Sequence, residues 1–171
     1  ELNSRLREDL LSRYCGQCPL EHSVVARIAI MTRVIYQRAI VAKQAEIYLN
    51  TGAYAETGPI VTGRTLTRIL GPYRYPNLKI NSYCVYTNTV SAASFRSIGG
   101  PQTAWATESQ MDIIAQRLGM DPVELRRKNL VNKGEEIRPK YKPLDADLAK
   151  GFKLVVDKLG WDGPTSRQGH G

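Results

Sequence analysis

The sequence has 171 residues and a formal net charge of +8, and 42% of its residues are hydrophobic. A chain of this length and composition can bury one ordinary core, which excludes a disordered protein. No apolar run approaches the ~20 residues that span a bilayer, and residues 1–5 lack the basic-then-apolar order of a signal peptide, so we expect a cytoplasmic protein with no membrane partner.

The positive charge does not by itself predict nucleic-acid binding. Lysines and arginines are dispersed along the chain, and the one tight group, Arg126-Arg127-Lys128, shares a predicted helix with Glu124. Aromatic residues do not alternate with this group, as a platform for stacked bases would require. We therefore expect no nucleic-acid partner, and a basic surface that contacts partner subunits or an anionic cofactor explains the excess as well.

The first 22 residues are predicted to form a helix followed by a cysteine pair. Ser4 can cap a short amphipathic helix over residues 4–14. The pair Cys15 and Cys18 follows, with His22 as a further metal ligand and Cys84 or His170 as a distant fourth. A structural zinc site normally takes four protein ligands at closer spacing, so ordinary reduced cysteines near a turn are the favoured interpretation, with a metal site, a disulfide or a redox pair as alternatives.

Residues 23–162 contain the remaining predicted elements. Alternating apolar residues predict strands over 23–34, 37–49 and 78–88, with a hairpin connection at 36–38 between the first two. Helices are predicted over 60–70, from Pro101 to Gly119, from Pro122 to about Val131 and over 145–159. The last of these is expected to present its apolar residues inward, namely Leu148, Phe152, Val155, Val156 and Leu159. This order predicts an α+β fold in which an antiparallel sheet has its helices packed on one face, and residues 163–171 are predicted to be a flexible tail.

The segment from Tyr86 to Met111 carries the most informative pattern. A strand leads into small hydroxyl residues, then Arg96, Gly99 and Gly100, and then a helix with Pro101 in its first turn. The unpaired N–H groups around Gly99, Gly100 and Gln102 favour an anion at the helix start, and a guanidinium adds a planar fork for phosphate or for a heterocycle. A plain strand-to-helix turn with a solvated arginine is the alternative.

Several motifs, taken together, resemble the molybdenum-cofactor-binding large subunit of the xanthine dehydrogenase and aldehyde oxidase family. The resemblance covers about residues 24–162, and it is carried by 52–54, 71–77, 88–102, 108–112 and 118–129. It implies that the chain is a fragment of a molybdenum hydroxylase large subunit, which oxidatively hydroxylates an aldehyde or an N-heterocycle. It also implies molybdopterin, in its simple or cytosine dinucleotide form, as the cofactor.

The resemblance assigns roles to individual residues. Arg96 matches an arginine that contacts the cofactor, and we expect Gly99, Gly100 and Gln102 to bind the cofactor beside it. Ile98 matches a position where xanthine-oxidising members have a phenylalanine that stacks on the substrate, which weakens a purine assignment because isoleucine has no π-face. Arg64 falls where those members carry a substrate-orienting arginine, although an exposed helix arginine is the commoner explanation.

Several parts of the family pattern are missing from this sequence. The general-base glutamate, its Gly-x-Gly-Glu motif and the upstream glycine-rich segment do not occur, so no catalytic residue is assigned and the isolated chain is expected to be inactive. The [2Fe-2S] clusters and FAD are expected on other chains or domains, and the partners are the rest of the large subunit, iron–sulfur and FAD subunits, and a small-molecule substrate. A non-catalytic interaction module and a small cysteine-based metal-binding protein remain the alternatives.

Overall fold

The computed structural model describes residues 10–17, 26–34, 39–94, 96–138 and 140–163. Within these ranges the chain forms a four-stranded sheet in the order β1-β2-β3-β4. The strands are β1 (Leu10–Gln17), β2 (Ala26–Val34), β3 (Ile40–Gly52) and β4 (Asn77–Tyr86). The first two pairs are antiparallel, whereas β3 and β4 are parallel from Ala42 beside Asn77 to Gly52 beside Tyr86.

The prediction of an antiparallel sheet is therefore wrong. The connection between β3 and β4 contains helix α1 (Gly58–Arg68), which returns the chain to the end of the sheet where β3 begins. Such a helical crossover joins parallel strands, whereas an antiparallel neighbour would begin near the end of β3. The sequence pattern placed the strands at nearly the right residues, but the direction of β4 depends on this intervening helix.

The predicted helix over residues 4–14 is also wrong in the part that the structure describes. Residues 10–17 form β1, which pairs with β2 from Leu10 beside Val34 to Gln17 beside Arg27. Pairing with a neighbouring strand overrides the weak helical pattern of this short segment. Residues 4–9, Cys18 and His22 lie outside the described residues, as do the predicted connection at 36–38 and the tail beyond residue 163.

Three further helices follow β4 in the described part of the chain: α2 (Gly100–Leu118), α3 (Pro122–Asn129) and α4 (Leu148–Leu159). Gly119 ends α2 in a left-handed conformation, with φ of 57°, and the Asp121 carboxylate accepts a hydrogen bond from the Val123 N–H at the start of α3. These two boundaries confirm the sequence prediction. None of the helices in the described ranges is long and apolar enough to cross a membrane.

Two groups of buried residues form the core. The first joins β3 to α1 and the start of α2, and it contains Ala45, Ile47, Leu49, Val61, Ile69, Leu70 and Ala106. The second joins α2 to α3 and contains Ile40, Tyr73, Met111, Ile114, Ala115, Met120, Leu125 and Leu130. Ala92 and Ile98, in the segment that follows β4, pack against the first group, so this part of the core supports that segment.

Helix α4 contributes less to the core than predicted. Its apolar residues were expected to face inward, but none of the residues in this helix is buried. Leu148 and Phe152 pack against the second core group, whereas Val155 and Leu159 are 56% and 74% exposed. The inward orientation predicted for these last two residues is wrong, because a 3.6-residue period shows that a helix has an apolar face but not what covers it.

Candidate functional site

The turn that leads into α2 has an unusual backbone. Ser97, Ile98 and Gly99 have consecutive positive φ angles of 66°, 31° and 74°. For a β-branched residue such as isoleucine this conformation is a genuine outlier, with a cost of about 1–3 kcal/mol. Such strain persists only where the surroundings fix the backbone, and it concentrates at sites that bind ligands.

Hydrogen bonds from two helices hold this turn. The Arg68 guanidinium, at the end of α1, donates from Nη1 to the Ile98 carbonyl at 2.9 Å. The Gly100 N–H donates to the Ser97 carbonyl at 2.8 Å. The Thr103 hydroxyl lies 3.0 Å from the Gly99 carbonyl that accepts from it. The sequence pattern assigned no role to Arg68, so its contribution as the anchor of the turn was missed.

Packing of this turn on α1 explains Gly99. A Cβ added there would lie 2.6 Å from Cγ2 of Thr65 on α1, and the positive φ of Gly99 makes a side chain unfavourable for a second reason. A Cβ added at Gly100 would lie 2.6 Å from Oγ of Ser97, within the turn, and 3.0 Å from Nη1 of Arg68. Direct contact of either glycine with a cofactor stays a prediction.

The predicted side chains are arranged around the turn in different ways. Arg96, just before it, is exposed, and so is Arg64 on α1. Ile98 is half-buried and packs against the first core group. The turn thus brings Ile98, Gly99 and Gly100 together, while the two guanidinium groups of Arg64 and Arg96 extend from its neighbourhood towards solvent.

Gln102 carries a buried acceptor that no described protein group bonds. Its side chain is 6% exposed, and Oε1 is the one buried side-chain oxygen or nitrogen atom in the described ranges that has no hydrogen-bond partner. An acceptor left in this state costs about 1–3 kcal/mol. The atom therefore suits a ligand that brings an N–H or O–H donor, and a pterin ring carries several such N–H groups.

The start of α2 also lacks a counter-charge. Gly99 occupies the N-cap position, no side chain caps the helix, and no acidic residue lies in its first turn. The positive end of the helix dipole and the unpaired N–H groups are consequently available to an anionic or polar group. The anion site at this corner stays a prediction.

Lys43, on β3, is a buried lysine that the sequence pattern did not single out. Lys43 is 2% exposed, and its Nζ donates to the Ile69 carbonyl at 2.6 Å, to the Thr107 hydroxyl at 3.1 Å and to the Tyr75 hydroxyl at 3.3 Å. Burial lowers the pKa of Lys43 to about 7, against the opposing influence of the Glu108 carboxylate. Lys43 lies two residues before Ala45 in β3, so the alternation along the strand placed both on the inward face.

Glu108, the acidic residue nearest the start of α2, is held by other protein groups. The Tyr73 hydroxyl donates to it at 2.8 Å, and Nε of Arg126 donates to it at 2.9 Å. Arg126 also pairs with Asp112 at 2.7 Å, so one guanidinium joins α2 to α3. Burial and the carboxylate raise the pKa of Tyr73. These bonds give Glu108 a structural role.

The structure describes only part of the predicted cysteine site. Within the described ranges, no group of three or more histidine, cysteine, aspartate and glutamate side chains is arranged to hold a metal ion. Cys84 is a free, half-buried cysteine on β4, and Cys15 lies in β1. Cys18, His22 and His170 lie outside the described residues.

A strained, anchored turn at an uncapped helix start, beside a buried acceptor without a partner, is the candidate binding site for a polar or anionic cofactor. The family comparison agrees with that class of site. A family model described as the molybdopterin cofactor-binding domain matches residues 28–130. The chain belongs to this family.

Individual relatives support the assignment. Over 96 residues the chain is 40% identical to the nicotinate dehydrogenase large molybdopterin subunit of Eubacterium barkeri, covering 56% of the chain and 23% of that protein. Over 157 residues it is 38% identical to the aldehyde oxidoreductase of Megalodesulfovibrio gigas, covering 75% of the chain and 17% of that protein. The chain therefore spans less than a quarter of the length of these relatives.

A solved structure shows the same fold. The aldehyde oxidoreductase from Desulfovibrio gigas superimposes with a TM-score of 0.74 and 28% sequence identity. The match covers 81% of this chain and 15% of the aldehyde oxidoreductase. The family resemblance seen in the sequence motifs is thereby confirmed.

Proposed function

We propose that this chain forms one wall of the molybdenum-cofactor site in the large subunit of a hydroxylase. The observation that carries the proposal is the buried Gln102 acceptor beside the anchored turn, in a chain that belongs to the cofactor-binding family. When bound, the cofactor supplies the two-electron redox chemistry of hydroxylation. The protein residues bind and orient it.

Each residue around the turn has a distinct part in this proposal. Gln102 accepts a hydrogen bond from a pterin N–H, and the exposed Arg96 donates to polar groups of the cofactor. Gly99 and Gly100 allow the turn to pack on α1, so that the backbone N–H groups at the start of α2 face the ligand. Arg68 positions the turn through its bond to the Ile98 carbonyl.

The substrate class follows from Ile98 and Arg64. An aliphatic side chain at position 98 offers a flat purine no stacking partner, a difference of about 0.5–1.5 kcal/mol. Relatives are named for aldehyde and nicotinate oxidation, and we infer an aldehyde or an N-heterocycle as the substrate here, with Arg64 as an orienting group.

The complete enzyme needs other polypeptide segments. The remaining part of the large subunit, together with iron–sulfur and FAD-bearing subunits or domains, completes the proposed assembly. We assign Glu108 no role as a general base, because it is held by Tyr73 and Arg126. The isolated chain is therefore expected to bind or position groups but not to turn over substrate.

A substitution at Gln102 tests the proposal. Gln102→Met, in the full-length protein, removes the acceptor while keeping a side chain of similar length. We expect molybdenum and pterin content to fall several-fold, with a change in cofactor-free stability of no more than about 1 kcal/mol, because no bond to Oε1 is lost. Gln116→Met, at an exposed position of the same helix, is the matched control. Equal cofactor content in both variants would contradict the proposed role of Gln102.

A further inference from the structure

A pocket of about 580 Å³ lies on the side of the turn formed by α1, the start of α2 and the segment 137–142. Its lining includes three basic side chains, Arg68, Arg138 and Lys142, together with Ser97 and Tyr141. No acidic side chain lines it within the described ranges. Its volume falls in the range typical of sites for small molecules.

Two of the three cations are held in place by contacts that leave their charge uncompensated. The Arg68 guanidinium bonds a main-chain carbonyl, that of Ile98, and has no ion pair with a described residue. The Arg138 guanidinium lies 3.1 Å from the centre of the Tyr141 ring, a cation–π contact that orients both groups without neutralising the arginine. A fixed fork loses less conformational freedom when it binds an oxyanion.

The acidic group nearest in sequence does not remove this charge. The Glu136 carboxylate accepts a hydrogen bond from the Lys140 N–H and is absent from the pocket lining. Glu135, the other acidic residue of the segment, pairs with Arg74 at 3.1 Å. Arg138 and Lys142 thus line the pocket, while the carboxylates of Glu135 and Glu136 bond other protein groups.

We propose that this pocket binds the phosphate group of a small ligand. Guanidinium and ammonium groups are the side chains that bind phosphate oxygens, and the Ser97 hydroxyl can donate a further bond. Gly100 and Pro101 at the start of α2 place the positive end of the helix dipole beside the same lining. A small ligand fits better than an extended acidic peptide, because the three cations converge on one pocket.

The phosphate has two conceivable sources: a phosphate of the cofactor itself, or a phosphate-bearing ligand that binds independently. The two sources differ in whether the pocket remains open once the cofactor is bound. Titration of inorganic phosphate into cofactor-loaded and cofactor-free forms of the purified protein, followed by isothermal calorimetry, separates them. Binding to the cofactor-free form alone assigns the site to the cofactor, and binding to both forms assigns it to a second ligand.

Paired substitutions test the residues. Arg138→Gln combined with Lys142→Gln is expected to weaken phosphate binding at least about tenfold, because each loses a charge-assisted hydrogen bond. Lys142→Arg should retain binding, and Lys150→Gln combined with Lys158→Gln, an equal change of charge at two exposed positions of α4, should leave it unaltered. Circular dichroism melting verifies that each variant is folded.

The result that overturns the proposal is the absence of phosphate binding in both forms, or equal weakening by the Arg138/Lys142 double variant and by the Lys150/Lys158 double variant. Elemental analysis of molybdenum in the same samples keeps the two proposals apart. Protein that never acquires molybdenum but still binds phosphate would contradict the proposed function and support the pocket. Molybdenum-loaded protein that shows no phosphate binding in either form would do the reverse.

Discussion

The turn at residues 97–100 and helix α4 differ in what holds each of them in place. The turn is strained, and groups far away in sequence fix it: Thr65 packs against Gly99, and Arg68 bonds the Ile98 carbonyl. Helix α4 is stabilised mostly by interactions within the helix and at its own ends. Asp147 caps its start, Gly160 ends it, and none of its residues is buried.

The turn therefore has the features of a binding site, whereas α4 has those of a peripheral helix. Strain that remote contacts maintain has no use in a simple strand-to-helix connection, so it points to a constraint from ligand binding. A helix whose ends are encoded locally and whose apolar face is half covered can change with little consequence for the site. The following variants break or sharpen that contrast, beginning with the largest expected effect.

Replacing one glycine in each region is expected to change stability in opposite directions. Gly99→Ala introduces a Cβ at positive φ, 2.6 Å from Cγ2 of Thr65, and should destabilise the protein by about 3 kcal/mol. Gly151→Ala, within α4 and with open space around it, should stabilise by about 0.5–1 kcal/mol. Urea denaturation measures both, and the same sign for the two variants would remove the contrast.

Loss of the Arg68 anchor should be the next largest effect. Arg68→Met removes the bond to the Ile98 carbonyl while keeping the apolar stem, and we expect a loss of about 2 kcal/mol. Arg64→Met, one turn earlier on α1 and exposed, serves as the control and should change the free energy of unfolding by less than about 0.5 kcal/mol. Matching losses at the two positions would mean that the bond to the turn contributes nothing.

The buried Lys43 gives a pH dependence that the exposed lysines of α4 lack. Its pKa is about 7 in the folded protein and about 10.5 when unfolded, so between these values the unfolded chain binds more protons. Stability from this group is therefore lowest below pH 7 and increases as pH rises towards 10.5.

The measurable quantity is the stability of the wild type minus that of Lys43→Met, determined at pH 7 and pH 9.5. We expect this difference to increase by roughly 1–2 kcal/mol with pH, the protein relaxing somewhat around the ammonium. The corresponding difference for Lys153→Met on α4 should stay flat. A decrease with pH at Lys43 would show that the ammonium is stabilised, not penalised, by its buried position.

The smallest effect is expected at the exposed end of α4. Leu159 is 74% exposed, so Leu159→Ala should cost less than about 0.5 kcal/mol in thermal or urea denaturation. A loss above about 2 kcal/mol, typical of a buried leucine, would show that something covers this face in the purified protein.

The sequence predicted correctly the features that depend on nearby residues and wrongly those that depend on distant ones. The end of α2 and the start of α3 were predictable because Gly119, Asp121 and Pro122 act within one turn of their own helices. The direction of β4 was mispredicted because it depends on where the crossover helix α1 returns the chain. The burial of α4 was mispredicted because it depends on neighbours that its own period does not identify.

The candidate site shows the same limit. The sequence pattern located the turn and its glycines, since those residue types are needed where the backbone is left-handed and tightly packed. It did not identify Arg68 as the anchor of the turn or Lys43 as a buried ammonium group, because both roles are created by contacts with residues more than twenty positions away. Only the alternation along β3 hinted that Lys43 faces inward.

Hydrogen–deuterium exchange with and without the molybdenum cofactor tests directly whether the turn at residues 97–100 binds the cofactor. We expect slower exchange in residues 96–103 of the cofactor-loaded protein, above all at the N–H groups of Gln102 and Thr103, with no change in α4. Unchanged exchange at the start of α2, or equal protection of the turn and α4, would contradict the claim that this turn binds the cofactor.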